Sequence, residues 1–485
     1  MKEVQLALKD AFRSPATSLD DQMESYATER VPRSQRWPAF AILLILTGNV
    51  TAMFWFTLGG QIGFLVGWPL MLIPIGYLVV VSTVLGSLIM RIASREGLSL
   101  VLLTRGLGFG AKGSAVASFI YGINYIFYFI FEGSIVSHAL SQYFGVGQNS
   151  VTASVIFALV GAAALFFAWR GMHSMNILQR FGMPIFLILF AAGIFMLSQG
   201  HALVGPGQWE SLTPNDPTVM WQAFSLVNGQ IVFQALLATD YGRFSRPQIG
   251  YKGTAGIMFG EMIMIAVVLV LGSFLAFTIY PSITEGDAVL YSTDPGFVFA
   301  LIMGLLGVIF AIITQIRINV MNLYSGSLAF SNTWDAFAKK PIRRNWWMVG
   351  LLALGIVLYP VNVLQYTDTF LAVTGIMTNT WIFILLADYF ICRKGLKLAP
   401  AEKIEYDERV IRDWNPCGMI AMAIAVALGA CGLAGLYPIY YASFIAMISG
   451  PIIHVLLTAL TRGRFYSPKT SRSSDQVLEG ETNAN

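Results

Sequence analysis

Apolar residues come in long blocks along this chain. Runs that would cross a hydrocarbon core, about 20 residues each, can be placed twelve times: 38–66, 69–90, 114–144, 150–168, 178–199, 219–240, 255–280, 297–324, 346–364, 367–391, 416–436 and 438–461. Polar connections separate them and polar tails flank them. The pattern predicts an all-α integral membrane protein, because a helix satisfies its own backbone hydrogen bonds in lipid.

Composition leads to the same class. Of 485 residues, 56% are hydrophobic and only 12% charged, which leaves too little polar surface to cover a soluble core. The three cysteines, Cys392, Cys417 and Cys431, show no metal-ligand spacing and read as small packing residues. The first 36 residues are polar, so a cleaved signal peptide is not expected.

Charge then orients the spans. Every one of the 30 Lys and Arg residues except Arg317 falls in a tail or in an even-to-odd connection, as in Arg91 to Lys112, Arg243 to Lys252 and Arg393 to Arg412. By the positive-inside rule that side is the cytoplasm, which puts both termini inside the cell at its inner or plasma membrane. The net charge of +4 therefore reflects orientation and calls for no nucleic-acid partner.

Two spans carry residues that a plain anchor would not need. The first contains LTGNVTAMFWFTLGGQIG and the sixth VNGQIVFQALLATD. Mid-membrane Gly and polar residues let a helix open and free its carbonyls and amides to bind an ion or solute. The two are five spans apart, the spacing of inverted repeats with binding at the midplane. The other reading is that the glycines permit close helix packing. The chain divides into a tail (1–36), a first five-helix repeat (37–200), a second inverted repeat (218–392), a loop with two further helices (393–461), and a closing tail (462–485).

Four motifs in order resemble the nucleobase:cation symporter-1 family of cytosine, purine, allantoin and hydantoin permeases. ESYATERVPRSQRW resembles its pre-membrane segment, with Val31, Pro32 and Arg36. TRGLGFGAKGS is similar to an Arg-x-x-Phe-Gly-x-x-Gly element, through Arg105, Phe109 and Gly113 with one residue more between them. ATDYGRFSR carries Asp240, Tyr241, Arg243 and Phe244, and LLADYFICRKG carries Ala387, Asp388 and Tyr389 before a basic pair.

The resemblance implies the LeuT-type fold, ten core helices in a 5+5 inverted repeat plus two peripheral C-terminal helices. It also implies alternating access and a planar heterocycle held between spans 1, 3, 6 and 8. Such a base needs an aromatic platform and side-chain amides at its edges. In the third span Asn124 stands where the family usually has glutamine and Phe127 where it usually has tryptophan, with Tyr128 the neighbouring alternative. In the sixth, Gly229 and Gln230 fall at the break, and Ile231 replaces an aromatic wall. In the eighth, Asn319 matches the family's substrate-contacting asparagine, or else hydrogen-bonds between helices.

Sodium-coupled relatives hold their ion between the first-span break and the eighth span. Gly48 and Thr51 match the first set of positions. The second set is Arg317 and Ile318, with Thr314 one turn before. Ile318 cannot ligate, and a guanidinium has five donors and no acceptor. The implied reading is that Arg317 takes the place of the ion; alternatively it pairs with Glu132 or Glu261, since buried charges seldom stay unpaired. With sodium excluded, Glu132, alone or with His138, is a candidate proton carrier, or else an ion-pair partner. Glu261 and His454 are further intramembrane candidates that packing hydrogen bonds also explain.

The expected function is a secondary transporter importing a cytosine- or purine-like heterocycle, independent of sodium and coupled to protons. The alternatives are a permease for a related nitrogen compound (allantoin, a hydantoin, a vitamin precursor) and a sodium-coupled symporter. The motifs of zinc hydrolases, serine hydrolases and phosphate loops do not occur, so no enzyme activity, cofactor or metal is expected.

Overall fold

The computed structural model describes residues 29–148, 150–170, 172–338 and 342–466. Most of both tails, including the start of the pre-membrane motif, lies outside the described residues. Every regular element among the described residues is helical, and an isolated parallel bridge joins Trp37 to Ser245.

The first span is bent. Helix α1 (Ala39–Val50) and helix α2 (Phe54–Val66) meet at 64° across the segment 51–53. The bend frees carbonyls, which find new donors: Trp55 Nε1 donates to Asn49 O (3.2 Å) and Thr51 Oγ1 to Gly48 O (3.0 Å). After it run α3 (Leu72–Glu96), α4 (Gly113–Phe144), α5 (Val151–Trp169) and α6 (Met172–Gly200).

The second half repeats the device. The expected sixth span is two ten-residue helices, α7 (Val219–Asn228) and α8 (Phe233–Gly242), neither long enough to cross alone. At this break Gly229 lies so close to the span beside it that a Cβ there would stand 2.4 Å from Leu371 O. Asn228 O accepts from Asn379 Nδ2 (2.9 Å), so a freed carbonyl is again satisfied by a neighbouring span. Helix α9 (Gly250–Ile279) follows.

The expected eighth span, 297–324, is divided differently from the hydropathy reading. Asp294 caps a short helix α10 (Pro295–Met303), accepting from Gly296 N at 2.9 Å, and Gly304 in a positive-φ turn ends it. The long helix α11 then runs Leu305–Phe337. Both pieces are apolar, so hydropathy alone merged them. The chain closes with α12 (Arg344–Leu358), α13 (Val363–Gly395), α14 (Pro416–Leu433) and α15 (Ala442–Leu460). Among the described residues ten helices are long and apolar enough to cross a membrane, and the bent first pair makes eleven; the expected count of twelve requires the short sixth pair as well.

Candidate functional site

The two breaks face each other inside the bundle, where Asn49 Nδ2 donates to Gln234 Oε1 (2.8 Å). A cavity opens beside this contact. Its walls are Asn49, Ala52, Phe54 and Trp55 from the first span, Gln230, Phe233 and Gln234 from the sixth, and Ile318 and Asn322 from α11. Helix α4 contributes Tyr125, Tyr128 and Glu132. These three recur at helical spacing and share one face. The cavity continues past Ile45, Leu237 and Tyr241, towards the end of the bundle that carries the Lys and Arg residues.

Aromatic and polar groups are both in place. Tyr128 packs edge-on against Phe54 (5.4 Å between ring centroids) and tilted against Phe233 (4.9 Å). Gln230 Nε2 donates to Tyr128 Oη (2.6 Å), which fixes the amide and leaves its oxygen for another donor. Glu132 Oε2 accepts from Gln315 Nε2. Asn322 Nδ2 donates to Asn319 Oδ1 (3.1 Å). A flat ring with N–H and C=O groups on its edge would meet a carboxylate, an amide oxygen and two asparagines here.

Several of the residues expected to bind substrate do not line this cavity. Asn124 and Phe127 are three apart on α4 and share a face turned from the cavity: Thr374 Oγ1 donates to Asn124 Oδ1 (2.9 Å), and Phe127 stacks on Phe370 (3.3 Å between centroids). Each residue advances a helix by about 100°, so Tyr128 and Glu132 point past them into the cavity. Gly229 is at the break but faces Leu371. Asn319 lies against Gly133 and reaches the cavity only through Asn322. Trp55, Tyr125 and Asn322 were not singled out from sequence; the spacing of Tyr125 with Tyr128 and Glu132 was the available signal.

Arg317 is 1% exposed. Its Nη2 donates to Thr51 Oγ1, and Thr51 in turn donates to the freed carbonyl of Gly48. Nη1 reaches Met183 Sδ (3.4 Å), and the stem passes Gly182, where a Cβ would sit 3.2 Å from Arg317 Cδ. The guanidinium thus bridges the first-span break, α6 and α11. Thr314 Oγ1, one turn earlier, has no partner, and Ile318 faces the cavity.

The ion pairs weighed from sequence are not formed. Among the described residues neither Glu132 nor Glu261 pairs with Arg317: Glu132 is held by Gln315, and both Glu261 oxygens are without a partner. His138 does not approach Glu132 as a relay; its Nδ1 lies 2.6 Å from Asp294 Oδ2, at the cap of α10. No group of three His, Cys, Asp or Glu that could hold a metal occurs among the described residues.

The motifs read from sequence lie at the bundle end where the basic residues gather. Asp240 Oδ1 accepts from Leu100 N (3.0 Å). Asp388 is a hub that accepts from Arg393 Nε (2.7 Å) and Tyr466 Oη (2.5 Å) and meets His454 Nε2 (3.1 Å). Arg36 donates to Ser94 O and Val31 O. Asp240, Asp388 and Arg36 stand apart from the cavity, whereas Tyr241 of the same motifs lines it.

No curated protein matches the sequence. Two solved structures of Mhp1, a nucleobase-cation-symport-1 family transporter, have the same fold. One is closed with bromovinylhydantoin bound (14% identity, 91% of this chain and 96% of that chain, TM-score 0.69). The other faces inward (13% identity, 92% and 98%, TM-score 0.72). A Na+-coupled sialic acid symporter in a substrate-bound outward-open state is less similar (12% identity, 90% and 92%, TM-score 0.51). At such identities the likeness is one of fold, and the fold is the LeuT-type, all-helical one that the resemblance implied. The sequence carries the family itself: because residues 30–451 match the model for permeases of cytosine and purines, uracil, thiamine and allantoin, this chain belongs to that family and is a membrane transporter, not an enzyme.

Proposed function

We propose that this transporter imports a nucleobase-like heterocycle, cytosine or a purine, across the cytoplasmic membrane by alternating access, with both termini inside, without sodium and with proton coupling. The observation that carries the reading is the Arg317 contact. A guanidinium donating to Thr51, whose hydroxyl is bonded to Gly48 O, occupies the gap between the first-span break and α11. A cation there would face a fixed positive charge with no lone pair to offer. Arg317 then does what a bound ion would do: it holds the opened first span against α11.

The cavity supports a planar, hydrogen-bonding substrate. Tyr128, Phe233 and Trp55 supply aromatic surface, Gln230 an amide at one edge, and Glu132 a carboxylate. Glu132 on the cavity wall has two roles open to it, accepting a substrate N–H and carrying a proton in step with substrate. Proton carriage is favoured for a carboxyl buried beside the cavity with an amide, not a cation, as its partner.

The test is uptake of a radiolabelled panel (cytosine, uracil, adenine, hypoxanthine, allantoin, a hydantoin) into proteoliposomes under an imposed pH gradient. Replacing sodium with choline should leave uptake unchanged, and Glu132→Gln should remove its response to the gradient. Strong sodium dependence would overturn the role given to Arg317. Transport of allantoin or a hydantoin in preference to the bases would move the substrate within the family.

A further inference from the structure

One intramembrane acid is left with nothing to hold it. Glu261 on α9 has no exposed surface, and neither of its carboxyl oxygens has a hydrogen-bond partner. It does not line the substrate cavity. The direction of its side chain follows from its neighbours. Met258 packs against α3, where a Cβ on Gly86 would meet its Cε at 2.4 Å, and Gly260 faces Leu43 of α1, with Leu43 Cδ1 at 3.4 Å from a Cβ built there. At about 100° per residue, Glu261 projects between these two directions, into the seam on the side of α9 that α1 and α3 border.

The opposite wall of that seam carries unpaired oxygens as well. Helices α3 and α9 are antiparallel. Arg91 near the end of α3 donates to Pro247 O just before α9, while Trp68 and Phe277, at the other ends, both pack on Trp209. Three residues beyond Met258 on α9 is therefore level with three before Gly86 on α3. Those are Ser82 and Thr83, whose hydroxyl oxygens are buried and without a partner. The α1 side offers Ile42 and Leu46, both apolar and buried.

Among the described residues, no counter-charge faces the seam from the elements packed on α9. Helices α1 and α2 contain no titratable side chain. Those of α3 are engaged elsewhere: Tyr77 with Asn228, Arg91 with Pro247 O, and Arg95 with Glu96. The remaining segments packed on α9 add Tyr280 and Tyr291, both towards its far end, and α9 itself adds Tyr251 and Lys252 at its start. An unpaired carboxylate inside a membrane costs at least a few kcal/mol, whereas a neutral acid needs one acceptor for its O–H. Two carboxyl and two hydroxyl oxygens are also too few for a hard metal ion, which takes six or more.

We propose that Glu261 is a proton-binding site separate from the substrate cavity. One H+ adds to the carboxylate, and the resulting acid donates to the hydroxyl of Ser82 or Thr83 across the α3–α9 seam. No bond joins these groups as the seam is packed, so the acid and one hydroxyl must close on each other when the proton is bound. The carboxylate needs water or a new donor, which the seam admits only when the bent first span moves off α9. Proton occupancy is thereby linked to the position of the span that also frames the cavity. The assignment rests on the chain being a transporter and on neither its substrate nor the role of Glu132.

The test is infrared difference spectroscopy of the full chain in nanodiscs across a pH titration. In a Glu132→Gln background, which removes any band from that carboxyl, a protonated-carboxyl C=O band that titrates should remain, and adding Glu261→Gln should abolish it. The double variant Ser82→Ala with Thr83→Val should keep the band but shift its frequency and midpoint, which decides the matter if Glu261→Gln does not fold. In proteoliposomes, Glu261→Gln should retain substrate counterflow and lose accumulation driven by a pH gradient. The proposal is overturned if the band survives in the Glu132→Gln Glu261→Gln double variant, if Glu132→Gln alone leaves no titrating band, or if the midpoint responds to sodium at constant pH. A band assigned to Glu261 together with sodium-dependent uptake would keep this site and overturn the role given to Arg317.

Discussion

Arg317 is among the largest side chains that the bundle hides completely. Its charge is met by dipoles: the Thr51 hydroxyl and, through it, the Gly48 carbonyl. A hydrogen bond to a charged group contributes about 1.5–3 kcal/mol, enough to bias the angle of a bent span. Arg317→Ala should therefore cut the uptake rate by at least about tenfold, the equivalent of 1.4 kcal/mol. Thr51→Val should reproduce most of the loss, and the double variant should be no worse than the more impaired single one. Additive losses in this cycle would show that the two residues act separately. At this scale the sequence exposed Arg317 as an anomaly through topology. It could not say which acid or dipole the guanidinium meets, because Glu132, Glu261 and Thr51 come from three different spans.

At the scale of helices, the breaks and the close crossings decide where the cavity forms. Helices α2 and α9 cross with two glycines in contact with backbone: a Cβ on Gly59 would stand 2.0 Å from Leu269 O, and one on Gly272 2.2 Å from Phe56 O. That approach holds the bent half of the first span against α9, with Ser273 Oγ donating to Gly59 O (2.6 Å). Gly272→Leu should lower the melting temperature in detergent, through overpacking worth about 1–3 kcal/mol. Gly256→Leu on the same helix is the control, since nothing lies within 4 Å of a Cβ there. Equal melting of the two variants would contradict the close crossing. The breaks were legible as Gly and polar residues inside apolar runs. The division of α10 from α11 at Gly304 was not, because a kink between two apolar segments leaves hydropathy unchanged.

Across the whole molecule, the last helix and the residues beyond it are tied to the core through Asp388. Buried on α13, it joins Arg393 on its own helix, His454 on α15 and Tyr466 beyond it, while Arg393 Nη2 donates to Gly106 O (2.5 Å) in the connection between α3 and α4. Removing one member of such a buried pair costs about 3–5 kcal/mol. Asp388→Asn should therefore lower the melting temperature and speed proteolysis near Tyr466, with substrate affinity unchanged because the hub lies apart from the cavity. A loss of affinity with no change in melting would reassign Asp388 to the site. The motif around Asp388 was read as a family signature, and the role found for it is to join distant segments.

The order of apolar blocks, the placement of Lys and Arg and the two interrupted spans were enough to specify a helical membrane protein whose two interrupted spans border one cavity. Each of these is a local property, set by transfer free energy and by what a helix backbone tolerates. The occupants of the cavity wall were decided by rotation and depth, which a one-residue difference in register changes completely: Tyr128 and Glu132 face inward while Asn124 and Phe127 do not. Partners were decided by packing between spans remote in sequence, as when Arg317 meets Thr51 and Glu261 meets no donor. Spacing along the chain does not encode distance across it, so those pairings exist only in the tertiary structure.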